Sequence, residues 1–480
     1  MDFRFVLLWT DALFFLLLVL GLVAFVHVRR SEPLRAAWRK IGSRATGMSA
    51  ATVLLAFLAI GVADSLHYRP MLAPVGAVEA APGAQGGQTV EPAAYSSEVL
   101  SALDALLAPL RLRVEKTYSA PFAAELYARE TIELPGGGQE RIYPRLRYGA
   151  AHLADPGTEL PQDVTQRFVG GAAAAFALWL LAVLVVTLGV ARSRSGGLLD
   201  AATALLRGET VLAWRAALVT LGAILLVAGA AVALGTHYHV FGTDKVGQDV
   251  LYLSLKSVRT ALLIGTLTTL VMLPFAIALG IMAGYLGGWV DDVIQYLYTV
   301  LNAIPGVLLI AAAVLMMQVV IDTHPEWFST AAERSDARLL ALCLILGITS
   351  WTGLCRLLRG ETLKLRELDY VLAARAFGVG TAAILRRHVM PNVMHIVVIA
   401  LVMDFSGLVL AEAVLSYVGI GVDPSTISFG TMINMARAEL AREPMVWWSL
   451  AAAFAFMFVL VLSANLFADV VRDAFDPRRG

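Results

Sequence analysis

Apolar residues in this chain come in long blocks rather than in alternation. Nine blocks stand out: roughly Phe5–Val26, Met48–Leu66, Phe168–Ala191, Trp214–Leu234, Val258–Tyr285, Val290–Ile321, Ala337–Leu354, Pro391–Val418 and Val446–Ala468. A helix of about 18 to 20 apolar residues crosses ~30 Å of hydrocarbon and satisfies its own backbone hydrogen bonds. The pattern therefore predicts an all-α polytopic membrane protein with about nine transmembrane helices.

The polar segments between the blocks orient them. Arg29, Arg30, Arg35, Arg39, Lys40 and Arg44 follow the first block. Loop 192–213 carries Arg192, Arg194 and Arg207, and loop 355–390 carries Arg356, Arg359, Lys364, Arg366, Arg375, Arg386 and Arg387. The tail adds Arg472, Arg478 and Arg479. Basic residues concentrate on the cytoplasmic side. These segments share one side only if the N-terminus is outside and the C-terminus is cytoplasmic, and nine spans give that parity. Asp2 and Asp11 fit the outside start. The charge of the first block follows its apolar run and no small-residue cleavage site is seen, so a retained anchor is expected rather than a signal peptide.

One large polar region, 67–167, interrupts the blocks and is expected on the outer face. It opens on PVGAVEAAPGAQGGQ, a flexible-linker composition. SSEVLSALDALLAPL follows, predicted as a helix capped by Ser96 or Ser97. ETIELPGGGQERIYPRL then predicts a hairpin turning at Pro135–Gly138. The reading is a small α+β extracytoplasmic insertion, ordered and with no ligand of its own. A membrane-anchored outer sensor or interaction domain is the competing view.

Composition narrows the function classes. Of 480 residues 58% are hydrophobic and 15% charged, so a soluble domain is excluded for most of the chain. The formal net charge of zero gives no reason to expect a nucleic-acid partner. The two cysteines, Cys343 and Cys355, fall on one predicted span and offer neither a disulfide framework nor metal-ligand spacing. The sequence has no phosphate-binding G-x-x-x-x-G-K-[ST] loop, no H-E-x-x-H and no G-x-S-x-G. No catalytic residue, metal site or cofactor is expected, and ATP would have to be hydrolysed by separate subunits.

Leu363–Asn392 is the most informative polar stretch. It reads as two short helices broken at Gly378, with Thr381 capping the second and Pro391 in the first turn of the next span. Small Ala373 and Ala374 allow close approach of a partner. Tyr370 and Phe377 supply apolar anchors and Arg375, Arg386 and Arg387 supply charge. Nothing here can do covalent chemistry, so the segment reads as a docking surface or as an ordinary solvated loop. Ahead of the fifth span, Gly242, Thr243 and Asp244 predict a turn, and Asp249 a helix cap.

Five segments occur in one order: FGTDKVGQDVL, AGYLGGWVDD, LAARAFGVGTAAILRRHVMPN, LAEAVLSYVGIGVDP and VRDAFDP. Together they resemble the inner-membrane permease of dipeptide/oligopeptide/nickel-type ABC importers, the subunit with the Gly-Thr-Asp outer loop. The resemblance covers roughly 235–480. It implies a six-helix permease core with a coupling loop, 357–391, gripped by ATPase subunits. Ala373, Ala374, Gly378 and Pro391 match the family's coupling motif, while Leu372 stands where the family usually has glutamate. The implied partners are a second permease, cytoplasmic ATP-binding subunits and a periplasmic solute-binding protein. The implied solute is a peptide, with a nickel chelate or peptide antibiotic as alternatives. The extra segments, 1–66, 67–167 and 168–234, lie outside the resemblance, although an extended outer region is also similar to that of microcin-C-type permeases.

Polar residues also fall within the spans. Asn302, Asp404 and Glu412 are candidates for the translocation path, since ionisable groups at membrane depth usually face a cavity or the bundle interior. Glu412 fits equally well as a brace between helices. A proton-coupled secondary transporter with Asp404 as carrier is the competing function. Pro274 and Pro305 are expected to kink their helices.

Overall fold

The computed structural model describes residues 3–71, 95–133, 139–194, 197–328 and 330–475. The linker expected near 74–88, the tip of the predicted hairpin, Asp2, Arg478 and Arg479 lie outside them. Among the described residues nine helical segments are long and apolar enough to cross a membrane. The chain is an all-α polytopic protein with two small sheets.

The chain starts with β1 (Phe3–Val6), α1 (Trp9–Arg30), α2 (Glu32–Ser43) and α3 (Ala45–Ser65). β2 (His67–Pro70), β3 (Leu100–Ser101), α4 (Ala102–Leu106), α5 (Ala108–Arg111), β4 (Glu130–Glu133) and β5 (Gln139–Ile142) belong to the insertion. α6 (Pro156–Arg194), α7 (Leu198–Arg207) and α8 (Trp214–Gly235) complete the extension. Then come α9 (Val250–Leu286), α10 (Gly288–Ala303), α11 (Gly306–Thr323), α12 (Ala331–Ser350) and α13 (Thr352–Arg366). The last elements are α14 (Asp369–Ala376), α15 (Thr381–Ile384), α16 (Met390–Val418), α17 (Phe429–Glu439) and α18 (Trp448–Phe475).

Several expected boundaries move. Phe5 is not in the first span: it pairs with Tyr68 in an antiparallel β1–β2–β3 sheet that gathers the chain ends next to α1 and α3. The insertion helix starts at Ala102, not after Ser96 or Ser97. Ser101 caps it in a box with Asp104, and the residues before it are drawn into the sheet. The hairpin strands pair as expected, Glu130 opposite Ile142. Pro274 leaves α9 continuous, whereas Pro305 splits the sixth block into α10 and α11.

α9 is the hub. It packs against α3, α10, α12, α13 and α16. Gly280 and Gly284 let α13 close on it: a Cβ at Gly284 would lie 2.6 Å from Thr362 Cβ, and one at Gly280 2.8 Å from the Cys355 carbonyl. The extension joins through a relay, α6 on α8, α8 on α3, and α3 on α9 and α18. Gly171 and Gly229 lie back to back between α6 and α8, and Trp179 donates to the Leu218 carbonyl at 2.8 Å.

Buried charge sets the depth at which these helices meet. Lys256 on α9 bonds Asp64 of α3 at 2.7 Å and Asp104 of the insertion at 3.0 Å. Tyr252 donates to the same Asp104 at 2.7 Å. One turn on, Arg259 pairs with Asp11 of α1 at 2.5 Å, and Asp11 also meets His67 at 2.7 Å. Thr10 bonds Asp336 of α12, which lies 4.0 Å from Arg259. At the basic end of the bundle Arg44 bonds Asp473 at 2.6 Å, and Trp38 meets Phe475 edge-on.

Removing one partner of a buried ion pair strands the other. Lys256→Met should lower stability by about 3 kcal/mol, the low end because the ammonium keeps some water contact. Adding Asp64→Leu should recover part of the loss. The measurement is thermal unfolding of the detergent-purified chain. An unchanged midpoint for Lys256→Met alone would refute the role given to this pair.

Candidate docking loop and the Gly-Thr-Asp turn

α13 ends at Arg366 and the chain turns through Glu367 and Leu368 into α14. α14 stops because Gly378 takes φ +75°, a conformation that costs glycine little. Its amide bonds the Arg375 carbonyl at 3.0 Å and the Val379 amide bonds the Ala374 carbonyl at 3.1 Å, a Schellman closure. The cap expected from Thr381 is not made: Gly380 occupies the cap position, and Thr381 is already helical. Pro391 lies in the first turn of α16, as expected.

The segment has two faces. Val371, Ile384 and Val389 are buried in one cluster with Ala276, Leu358 and Val393, so the loop is seated on α9, α13 and α16. The opposite face is bare. Phe377 is 87% exposed, and Tyr370 and Leu372 are also exposed. Ala373, Arg375, Gly378, Arg386, Arg387 and Pro391 are exposed and Ala374 is half-buried. Asn392 Nδ2 donates to the Tyr370 hydroxyl at 3.1 Å, which steadies the ring. The result is a bare phenyl group on a basic knuckle.

Asp291, from the AGYLGGWVDD segment, supports this end through a distant partner. It accepts two hydrogen bonds from Arg359 at 2.6 and 2.7 Å, and the guanidinium holds its carboxyl below the usual carboxylate range. Sequence alone gives no partner, because 68 residues separate the pair.

The Gly-Thr-Asp turn is enclosed by the insertion. Thr243 is fully buried; its hydroxyl accepts from the Ser119 amide at 2.7 Å and donates to the Thr117 carbonyl at 2.9 Å. Trp448 donates to the Thr243 carbonyl at 2.9 Å. Gly242 and Gly247 both have positive φ, and a Cβ on Gly247 would lie 1.9 Å from the Glu115 carbonyl. Asp244 accepts from the Val246 and Gln248 amides, and Asp249 caps α9 through Leu251 and Tyr252.

Asp249 has a second duty that the sequence did not reveal. It bonds His239 Nδ1 at 2.8 Å, and the other ring nitrogen faces Glu115 at 3.5 Å, an ion-pair distance. Glu115 also accepts the amides of Arg147, Tyr148 and Gly149. Burial alone would lower the His239 pKa, but Asp249 and Glu115 outweigh it and raise it to about 9. Burial would raise Glu115, but His239 and the three amides bring it down to about 2.

The path candidates separate. Asn302, in the last turn of α10 beside the Pro305 break, accepts from Thr352 at 3.2 Å. Asp404 is half-buried on α16 and makes no hydrogen bond or ion pair among the described residues. Glu412 is buried, and its Oε1 accepts from Ser416 at 2.7 Å and Ser428 at 2.9 Å. It ties α16 to the start of α17.

The His239 cluster gives a pH signature. The raised His239 pKa stabilises docking of the insertion fully below pH 6.5, and that contribution is lost as pH rises through about 9. The lowered Glu115 pKa contributes above pH 4.5 and is lost as pH falls through about 2. Thermal unfolding should therefore peak between those limits and fall by several degrees toward pH 9. His239→Gln should flatten the alkaline fall, and an alkaline fall of wild-type size in that variant would disprove the assignment.

Residues 276–480 match the family described as binding-protein-dependent transport system inner membrane components. The chain is 31% identical over 239 residues to the oligopeptide transport system permease protein of Mycobacterium tuberculosis (strain ATCC 25618 / H37Rv), covering 50% of this chain and 76% of that protein. It is 31% identical over 240 residues to the dipeptide transport system permease protein of Lactococcus lactis subsp. cremoris, covering 50% of this chain and 64% of that protein. It is 32% identical over 242 residues to the glutathione transport system permease protein of Pectobacterium atrosepticum, covering 50% and 73%. The family match holds the end of α9, α10 to α18 and the bare knuckle, and the chain belongs to the dipeptide/oligopeptide-type permeases among the binding-protein-dependent transport system inner membrane components.

Proposed function

We propose that this chain is one half of the transmembrane pathway of an ATP-driven importer of peptides or similar small solutes. Its N-terminus and insertion face outward, and its C-terminus faces the cytoplasm of a bacterial cell. A second permease pairs with it. Cytoplasmic ATPase subunits grip residues 357–391, and a periplasmic solute-binding protein delivers the solute. The single observation that carries the reading is the knuckle, where Phe377 is 87% exposed on a backbone locked by Gly378. A phenyl group so exposed calls for a groove on another protein. Tyr370, Ala373, Ala374, Arg375, Arg386, Arg387 and Pro391 complete the proposed contact.

The proposed pathway runs along the unpartnered side of α16, where Met403, Leu410, Val414 and Tyr417 are exposed at helical spacing around Asp404. Asn302 is proposed to line the same path beside the α10–α11 break. Peptide is the preferred solute because the dipeptide, oligopeptide and glutathione permeases above are similar over half the chain.

Uptake of a labelled tripeptide into proteoliposomes holding the full complex should require internal ATP. Asp404→Asn should keep much of that uptake, because asparagine preserves shape and some hydrogen bonding. Uptake driven by a pH gradient alone, and abolished in Asp404→Asn, would reject the ATP-driven reading in favour of a proton-coupled carrier. Phe377→Ala should leave the permease in the membrane and cut ATPase co-purification and ATP-driven uptake roughly tenfold, the scale of a lost aromatic anchor. Wild-type co-purification would remove the docking role. A reporter fused after Gly380 should be active only in the cytoplasm, and one fused after Gly137 only outside. The opposite pattern would invert the orientation.

A further inference from the structure

A cavity of about 660 Å³ lies where the extension meets the core. That volume is in the range of small-molecule sites. Its walls come from the end of α3, the insertion, α9 and the loop between α16 and α17. The cavity is therefore formed jointly: neither the extension nor the core encloses it alone.

The chemistry of the wall is unusual for a packing void. Asp64, Glu98, Asp104, Arg111, Lys256 and Arg259 all line it, so both signs of charge face one space. Most of that charge is already paired, and the unspent bonding capacity is what matters. Asp64 takes its bonds from Ser101 and Lys256 on Oδ1 alone, which leaves Oδ2. Glu98 accepts Arg111 Nη1 on Oε1 at 3.0 Å, which leaves Oε2. On the donor side Arg111 spends Nη1 on Glu98, and among the described residues its Nη2 has no partner. Arg259 spends Nε and Nη2 on Ser65, Thr10 and Asp11, which leaves Nη1. Among the described residues the wall thus offers two free carboxylate oxygens, Asp64 Oδ2 and Glu98 Oε2, and two free terminal guanidinium nitrogens, Arg111 Nη2 and Arg259 Nη1.

A purely anionic ligand would meet the carboxylates, and a purely cationic one the guanidiniums. A ligand carrying both charges satisfies both sets. We propose that this cavity is a binding site for a small zwitterion, an ammonium group beside an anionic group. The site is separate from the pathway proposed above and does not depend on it. Two sources share that chemistry: a free amino acid or short peptide, and an ethanolamine phospholipid headgroup.

The test uses the full-length permease in nanodiscs of phosphatidylglycerol, titrated with tri-alanine by calorimetry. One tri-alanine should bind per chain. N-acetylation or C-amidation of the peptide should each weaken binding roughly tenfold or more, the scale of a lost hydrogen bond between charged groups. Arg111→Ala should weaken free tri-alanine and erase the penalty for C-amidation. Val114→Trp, which fills the cavity from the insertion side without touching its charges, should abolish binding. No binding heat, equal binding of the doubly capped peptide, or a signal that survives both variants would each overturn the proposal. Repeating the titration in discs containing phosphatidylethanolamine separates the sources. Unchanged affinity assigns the site to a soluble zwitterion, and suppression assigns it to the headgroup.

Discussion

Lys256 and Arg259 sit one turn apart on the central helix, at a depth where an unpaired cation is costly. Every carboxylate that meets them comes from another element: Asp64 from α3, Asp104 from the insertion, Asp11 from α1 and Asp336 from α12. Apolar helices alone can slide along one another with little change in burial, because lipid tails are as apolar as the side chains they replace. A charge pair cannot slide by a turn without leaving both groups stranded. These pairs therefore set the depth of α1 and α3 against α9, and small residues such as Gly280 and Gly284 set how closely the helices approach. The extension is locked in register with the core at this end and tied again by Arg44 and Asp473 at the other.

That constraint makes α9 a strut running from the insertion to the loop proposed for docking. At its far end it packs α13 through two glycines, and Arg359 of α13 clasps Asp291 of α10 with two bonds. α14 follows α13 after a two-residue turn and rests on the same cluster through Val371. On the proposed reading, a motor pulling on Phe377 meets a rigid lever rather than a loop. Displacement would pass to α16 and to the α10–α11 pair, whose break at Pro305 lies beside Asn302. Packed elements of this kind switch between discrete arrangements instead of deforming smoothly.

The sequence reveals what depends on local chemistry and hides what depends on distant partners. Apolar block length foretells the spans, because hydrocarbon thickness is a one-dimensional constraint. Gly378 foretells the break in the loop and Asp249 the start of α9, since both act within one turn of chain. Phe5 misleads because its apolar neighbourhood reads as span, while strand pairing with Tyr68 decides its place. Ser101 is missed for the same reason, as the pairing of Leu100 with Tyr68 takes the preceding residues out of the helix. Pro305 is read as a kink, but the backbone around it ends one helix and starts another. Thr381 has the right residue type for a cap and the wrong position by one. No local pattern could pair Lys256 with Asp64, 192 residues away, or His239 with Glu115 across the insertion.

The same distinction bears on the Gly-Thr-Asp turn. By composition it is a turn ahead of a membrane helix. Here Thr243 is fully buried, and Ser119, Thr117 and Trp448 occupy its backbone and hydroxyl. Its glycines are needed because insertion backbone approaches closer than any Cβ would allow. The turn thus serves as the socket into which the insertion is set, and Asp249 joins that socket to the cap of α9. On the proposed reading, a partner arriving at this end would meet the insertion as well as the turn. The Glu115, His239 and Asp249 contact and the Lys256 pairs are the charged links from the insertion into α9, so on that reading they are where an applied force would enter the core.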